Sequence, residues 1–302
     1  MSLLVVGSIA IDSVETPFGK RAEVLGGSAV YFSISSSFFT DVNIVGVVGT
    51  DFPVKYIRLL QQKGINTDGL EIQQGKTFRW KGAYGHDLNN ANTLFTGLNV
   101  FKNFLPKIPR ELKKIPYLFL ANIDPNLQLL VLKNVYSPRI VACDSMNFWI
   151  QNELKALKRL LKKVDIFIIN DAEIRLLSGE SNLIGAAKYI FSLGVKKVII
   201  KRGDSGALFL TSGGGRFYAP AYLMEKIKDP TGAGDSFAGG FMGYLSRVNS
   251  SNPPEAVFRR AVVYGTMMAS FCVQDFGPGK LLGIDRSDIE KRLSDYKRMV
   301  RF

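Results

Sequence analysis

Short runs of apolar, mainly β-branched residues alternate with helical patterns along most of this 302-residue chain. The apolar runs have the length and continuity of strands that are covered on both faces. They lie at residues 3–11, 43–48, 117–121, 140–143, 165–169 and 197–200. The helical patterns between them lie at residues 29–39, 53–63, 126–133, 151–163 and 182–193. This order predicts an α/β fold, with a doubly wound, mainly parallel sheet and helices on both faces, whose ligands bind beyond the carboxyl ends of the strands.

Two stretches interrupt this alternation. Residues 13–25 and 70–99 mix polar and aromatic side chains in a roughly alternating pattern, which is typical of exposed strands. We interpret them as a small β lid over the substrate site. The α/β core then comprises residues 1–12, 26–69 and 100–302. Near its end the core is predicted to contain a hairpin at residues 207–223, followed by helices at 255–273 and 286–299, the second capped by Asp285.

Charge and composition narrow the class of ligand. Lys and Arg exceed Asp and Glu by 39 to 26, so the protein should attract anions such as nucleotides. The basic residues of segment 154–164 occupy the polar face of an amphipathic helix, so we predict no nucleic-acid partner. The single histidine leaves no His/Cys metal cluster, and no apolar run is long enough to span a membrane. We therefore expect a cytoplasmic protein without a membrane partner.

A glycine-rich turn precedes an apolar, small-residue helix. The turn and helix start at residues 229–237 read Asp-Pro-Thr-Gly-Ala-Gly-Asp-Ser-Phe. Because first-turn amides and the helix dipole attract anions, Gly232, Ala233 and Gly234 can receive a phosphate closely. Asp235 lies beside that pocket, where the dipole favours its ionised form and it could take a proton from an attacking hydroxyl. An anion site beside a carboxylate is the arrangement expected of a phosphoryl transferase. The alternative is that Asp229 and Asp235 simply cap the helix.

Several further blocks occur in the same order as in a known family. They are Gly26-Gly27, Gly49-Thr50-Asp51, Lys63-Gly64-Ile65-Asn66-Thr67, Asn170-Asp171-Ala172-Glu173, the pair Gly203 and Gly206, and the turn before the helix. With these blocks the chain resembles the PfkB family of carbohydrate kinases, the ribokinase-like enzymes, from end to end. The resemblance implies an ATP-dependent kinase that phosphorylates a hydroxymethyl group of a small sugar. A nucleoside kinase of the same family is the alternative, and a non-catalytic nucleotide-binding regulator is a remoter one.

The resemblance also implies roles for individual residues. Asp235 would be the general base, and the amides of Gly232, Ala233 and Gly234 would form the anion hole. Asn170 and Glu173 would organise Mg²⁺ through water, since Mg²⁺ prefers oxygen ligands and retains waters. The nucleotide would contact Asn170, Lys201, Gly203, Gly206, Thr231, Gly232 and Gly234.

The remaining implied roles concern the acceptor and a monovalent cation. The acceptor would contact Asp12, Gly26, Gly27, Tyr31 and Arg79. Asp229 and Thr231 would lie beside a possible K⁺ ion. Many family members have asparagine where this chain has Tyr31, which together with the lid aromatics Phe78, Trp80 and Tyr84 supports the nucleoside alternative. The protein would act as a monomer or as a homodimer formed through the lid.

Two short motifs that suggest other functions are rejected because the surrounding sequence does not fit them. The sequence Gly203-Asp204-Ser205-Gly206 is also found in serine proteases, with His86 as the histidine, but those folds are all-β. The triplet Gly75-Lys76-Thr77 suggests a phosphate-binding loop, but position 70 is not glycine and no strand-to-helix context surrounds it.

Overall fold

The computed structural model describes residues 2–88, 91–250 and 252–301. Its strands are β1 (Ser2–Val6), β2 (Ala10–Thr16), β3 (Gly19–Gly26), β4 (Asp41–Gly49), β5 (Ile65–Gln73), β6 (Phe78–Tyr84), β7 (Ala91–Gly97), β8 (Tyr117–Leu120), β9 (Ile140–Asp144), β10 (Ile166–Asn170), β11 (Lys197–Lys201), β12 (Ala207–Thr211) and β13 (Arg216–Ala219). Its helices are α1 (Ser28–Ser37), α2 (Val54–Gln62), α3 (Pro125–Asn134), α4 (Asn147–Asn152), α5 (Leu154–Leu161), α6 (Asp171–Ser178), α7 (Leu183–Ser192), α8 (Ala233–Val248), α9 (Glu255–Cys272), α10 (Gly279–Leu282) and α11 (Arg286–Met299).

The large sheet has nine described strands in the order β13-β12-β11-β10-β9-β8-β1-β4-β5. Neighbouring strands from β5 across to β11 are parallel. β12 and β13 add an antiparallel hairpin at one edge. The predicted mainly parallel α/β sheet and its late hairpin are therefore confirmed, and Asp285 caps α11 as expected.

The small sheet contains β3, β2, β6 and β7 in that order, with β2 and β6 parallel and the outer pairs antiparallel. It includes residues 10–12, which were predicted to belong to the core, whereas residues 70–73 continue β5 of the large sheet. The division into a core and a closing lid stays a prediction. Residues 1, 89, 90, 251 and 302 belong to the predicted ranges but lie outside the described residues.

One prediction is wrong in a way that matters for the site. Residues 3–11 do not form a single strand, because β1 ends at Val6 and β2 begins at Ala10 in the other sheet. A Cβ atom on Gly7 would lie 2.7 Å from the Cβ of Ala121, so the chain turns where only glycine fits. The hydroxyl groups of Ser8 and Ser28, 3.0 Å apart, fasten this turn to α1. The turn carries Asp12 into the small sheet.

Two apolar clusters cover the large sheet, one on each face. In β1, Leu3 and Val5 belong to one cluster, while Leu4 and Val6 belong to the other. The first cluster includes buried side chains of α1, α8 and α9; the second includes those of α3, α5, α6 and α7. Within the described ranges no helix is both long and apolar enough to cross a membrane.

Candidate active site

The turn before α8 has a shape that requires glycine. Gly232 adopts a left-handed conformation, with φ 75° and ψ 2°, directly before the helix. A Cβ atom there would lie 2.4 Å from the ring of Tyr31. The first amides of a helix have no acceptor inside the helix, and they lie at the positive end of its dipole. The bare backbone from Gly232 to Gly234 is therefore suited to an anion, although the Ala233 amide already donates to the carbonyl of Pro230 at 3.1 Å.

A lysine from the neighbouring strand lies at the same helix start. Lys201 is the last residue of β11, and its Nζ lies 2.6 Å from the position that a Cβ atom would take on Gly234. Any side chain at position 234 would displace the ammonium group. The helix start thus combines backbone donors with a full positive charge, which together suit a phosphate.

Asp235 lies in the first turn of α8. Burial raises the pKa of its carboxyl group to about 6, although the nearby Lys201 lowers it and Glu173 adds to the rise. The sequence suggested that the helix dipole would favour the ionised form, but desolvation is the larger effect here. A carboxylate whose pKa lies near neutrality is suited to accept a proton from an alcohol.

Asp144 is a site residue that the sequence analysis missed. It ends β9, is 4% exposed, and its Oδ1 has no hydrogen-bond partner among the described residues. Burial raises its pKa well above the usual range; Asp235 and Glu173 raise it further, and Lys201 lowers it. The only signal in the sequence was its place directly after the apolar run 140–143, at the carboxyl end of a predicted strand.

Asn170 and Glu173 hold each other at the start of α6. The side chain of Asn170 accepts a hydrogen bond from the Glu173 amide at 2.7 Å, and Glu173 Oε2 accepts one from the Asn170 amide at 3.0 Å. Burial raises the pKa of Glu173, while Lys201 and the hydrogen bonds to Asn170 lower it. Glu173 is therefore held toward Lys201 and is not a freely solvated helix residue.

The loop after β11 folds back onto the edge hairpin. Residues Gly203–Ser205 form one short 3₁₀ turn, and the amide of Arg202 donates to the carbonyl of Gly206 at 2.8 Å. Gly206 has φ 85°, and a Cβ atom there would lie 2.1 Å from the carbonyl oxygen of Ala219. Only glycine allows this close approach, which fixes the end of the strand that carries Lys201.

Asp12 lies against two glycines. A Cβ atom on Gly26 would lie 1.9 Å from Asp12 Oδ2, and Gly27 has φ 96°. Burial raises the pKa of Asp12 to about 7, and the nearby Asp229 and Asp235 contribute to the rise. The structure therefore brings Asp12, Gly26 and Gly27 together, close enough to Asp235 for the two carboxyl groups to influence each other.

Tyrosine and tryptophan side chains surround Asp12. Tyr31 is 1% exposed, and its hydroxyl has no hydrogen-bond partner among the described residues. Trp80 pairs with Asp12 across β6 and β2, so the two side chains share one face of the small sheet, and Tyr84 lies four residues further on that face. Phe78, by contrast, packs on Phe101 with ring centroids 5.4 Å apart, which leaves it a structural residue.

Arg79 is held by two carboxylates. Its guanidinium pairs with Glu23 and, at 3.1 Å, with Asp51 Oδ2. Asp51 also accepts hydrogen bonds at 2.7 Å from the amide and the hydroxyl of Thr77. These contacts join the small sheet to the chain after β4, whereas contact of Arg79 with an acceptor stays a prediction.

Asp229 and Thr231 form a compact turn before the anion site. Asp229 is fully buried; its Oδ1 accepts from the Thr231 amide at 2.8 Å and its Oδ2 from the Gly277 amide at 3.1 Å. A role for this pair beside K⁺ stays a prediction. In residues 2–88, 91–250 and 252–301, no three His, Cys, Asp or Glu side chains are grouped as a metal site.

A large mainly parallel α/β sheet, a small sheet beside its carboxyl edge, and a carboxylate at a glycine-rich helix start are the features expected of a phosphotransferase that acts on an alcohol. Residues 3–282 match the pfkB family of carbohydrate kinases, and the chain belongs to that family. It is therefore an ATP-dependent kinase whose acceptor group is a hydroxyl.

Individual relatives agree with this assignment. The cytidine kinase of Thermococcus kodakarensis is 29% identical over 251 residues, covering 82% of this chain and 89% of the relative. The nucleoside kinase of Methanocaldococcus jannaschii superposes with a TM-score of 0.77 at 21% identity, over 97% of this chain and 98% of that one. The aminoimidazole riboside kinase of Salmonella enterica, solved with its riboside and an ATP analog, gives 0.76 at 19% identity over 97% and 100% of the two chains. The two structures support the ribokinase-like fold.

Proposed function

We propose that this protein transfers the γ-phosphoryl group of ATP to the hydroxymethyl group of a nucleoside, with a free pentose as the second candidate. The position of Asp235 carries the proposal, because this carboxyl group lies in the first turn of α8, directly after the glycine-rich turn, and is close enough to Asp12 for the two groups to influence each other. The sequence pattern ranked a small sugar first. The long match to a cytidine kinase and the tyrosine at position 31 favour the nucleoside.

In the proposed reaction, the acceptor's hydroxyl groups bind the carboxylate of Asp12 and the unpartnered hydroxyl of Tyr31. Asp235 takes the proton of the hydroxymethyl group as its oxygen attacks the γ-phosphorus of ATP, and the bond to ADP breaks. The amides of residues 232–234 and the ammonium of Lys201 stabilise the charge on the transferred group. Phosphoryl transfer asks a protein mainly for such positioning and charge stabilisation.

The carboxyl groups near Lys201 are of the kind that can hold Mg²⁺. This ion commonly takes one or two protein carboxylates, with water and substrate phosphates as its other ligands. Glu173 and the unpartnered Oδ1 of Asp144 are the two groups that would hold it, directly or through water. Bound there, Mg²⁺ would offset the charge of the ATP phosphates.

The small sheet supplies a side chain suited to a base. Trp80 lies on the face that carries Asp12, and its indole packs over Gly82, where a Cβ atom would lie 2.1 Å from the ring. Stacking of a base on an aromatic side chain is worth about 1–3 kcal/mol in single-strand binding. A free pentose offers no such surface, so Trp80 distinguishes the two acceptor classes.

The test is a screen of nucleosides and free pentoses for acceptor-dependent ADP release, with the product identified by mass. Trp80→Ala should raise the KM for the best nucleoside by about tenfold or more, from the scale of one stacking contact. Phe95→Ala is the matched control, because Phe95 pairs with Lys81 and therefore lies on the face of the small sheet opposite to Trp80. ADP release that no acceptor stimulates would contradict the proposal, and the absence of any ADP release would favour a non-catalytic regulator. Stimulation by pentoses alone would establish the second candidate.

A further inference from the structure

A side-chain hydrogen bond joins the small sheet to the anion-binding turn. Tyr84 is the last residue of β6, and its hydroxyl oxygen accepts a hydrogen bond from Thr231 Oγ1 at 3.1 Å. The two residues are 147 positions apart in the sequence. Burial raises the pKa of Tyr84, with Asp229 and Asp12 contributing, so its hydroxyl stays protonated next to these carboxyl groups.

Thr231 is held at all of its polar groups. Its amide donates to Asp229 Oδ1 at 2.8 Å, and its carbonyl accepts from Cys272 Sγ at 3.4 Å. The hydroxyl is the only one of the three that reaches the small sheet, through Tyr84. The next residue is Gly232, whose left-handed conformation opens the anion site.

We propose that the Tyr84 hydroxyl is a positioning group for phosphoryl transfer, which couples the seating of the small sheet over the acceptor to the shape of the turn at residues 231–234. Tyr84 and Trp80 lie on one strand and one face, so an acceptor held under Trp80 would also keep Tyr84 in contact with Thr231. When the small sheet lifts, the hydroxyl of Thr231 loses its partner, and Thr231 keeps only the contacts of its amide and carbonyl groups. Transfer is thereby favoured when an acceptor is present.

The inference rests on the proposed acceptor site, and its test separates a failure of the inference from a failure of the proposed function. Tyr84→Phe removes only the hydroxyl, and Thr231→Val removes the partner. Each should lower the kcat of transfer about tenfold, the scale of one hydrogen bond, with a larger share of ADP released without product. Tyr84 is not among the predicted nucleotide contacts, so Tyr84→Phe should leave the KM for ATP unchanged. The double variant should fall no further than either single variant, because both changes delete the same contact. Thr231→Ser keeps the hydroxyl and should retain transfer.

Tyr136→Phe is the control, since Tyr136 is 57% exposed and lies outside the site. Hydrogen exchange of residues 231–236 without any acceptor provides a second readout, because the contact is present in the protein alone. Tyr84→Phe should speed exchange there, even if the acceptor is neither a nucleoside nor a pentose. Unchanged exchange, or losses of kcat that multiply in the double variant, would overturn the inference.

Discussion

The ammonium group of Lys201 occupies the space that a side chain on Gly234 would need, with Nζ 2.6 Å from the position of the missing Cβ. The end of a strand and the start of a helix, 33 positions apart in the numbering, thus build one cationic site. The absence of a side chain on Gly234 allows Lys201 to approach the helix start closely and also leaves room for an anion. Lys201 also lies between the carboxyl groups of Asp144, Glu173 and Asp235, whose pKa values it lowers.

Gly234→Ala is predicted to impair catalysis without unfolding the protein. Alanine is a better helix former than glycine, so α8 itself is not weakened. The new methyl group should displace the ammonium of Lys201, raise the KM for ATP and lower kcat by about tenfold or more, since a charged hydrogen bond to phosphate is weakened. Gly213→Ala is the control, because its nearest neighbour, Thr211 Oγ1, is 4.0 Å from the added Cβ. Steady-state kinetics of the two variants would expose a wrong assignment if both matched the wild type.

Asp235→Asn is predicted to leave ATP binding intact and to lower turnover by roughly 10²-fold or more, because the base is lost while the anion site remains. The wild-type rate should also fall as the pH drops through about 6, the pKa to which burial raises Asp235, since only the carboxylate accepts a proton. A pH profile of kcat for the wild type and the variant measures both effects. Near-normal turnover by the variant would remove Asp235 from the role of base.

Glu173→Gln is predicted to raise the Mg²⁺ concentration needed for half-maximal rate. Glutamine can still complete the capping box with Asn170, so the substitution removes the charge and keeps the helix start. Glu180→Gln, at an exposed position beyond the end of α6, is the control. Titration of the rate with Mg²⁺ decides the matter, and identical curves for both variants would reduce Glu173 to a capping residue.

Asp12→Asn is predicted to bind the acceptor poorly and yet to be more stable than the wild type at high pH. Burial raises the pKa of Asp12 to about 7, so the folded protein binds this proton more tightly than the unfolded chain does. The stability it contributes is present at low pH, below the unfolded pKa of about 4, and is lost as the pH rises through 7. Asparagine has no such loss.

The measurement is Tm for both proteins at about pH 5 and about pH 8, on either side of the raised pKa. The Tm of Asp12→Asn relative to the Tm of the wild type should rise from the lower pH to the higher pH. Asp87→Asn, at an exposed position, should show no such gain. A Tm difference between Asp12→Asn and the wild type that does not change with pH would mean that burial does not raise the pKa of Asp12.

Replacing Na⁺ by K⁺ at constant ionic strength is predicted to raise the rate. Asp229 is fully buried, and burial raises its pKa more than its hydrogen bonds to Thr231 and Gly277 lower it, so a cation beside it would stabilise its charged form. Thr231, the other residue predicted beside the ion, leads directly into the anion-binding turn. Equal rates in the two salts would count against a monovalent cation at this turn.

The sequence by itself determined the class of fold, and it predicted where the catalytic turn lies. Apolar runs that alternate with helical patterns predicted the parallel sheet, because both signals are local periodicities. The spacing of Gly232, Gly234 and Asp235 predicted an anion site with a base, because all three lie within one turn of chain. The block Asn170-Asp171-Ala172-Glu173 could likewise be recognised from the sequence. In the structure, Asn170 and Glu173 form a capping box at the start of α6.

Tertiary structure alone decided which distant residues meet. The apolar run at residues 3–11 conceals a turn, which moves Asp12 into the small sheet, and no periodicity marks that break. Asp144 reaches Lys201, Asp235 and Glu173 only because β9, β10 and β11 are neighbours in the sheet. Arg79 is paired by Glu23 and Asp51 from two other segments, and Tyr84 finds Thr231 across the molecule. Burial and pairing depend on contacts far apart in the chain, so the pKa values and side-chain partners of the site had to come from the folded protein.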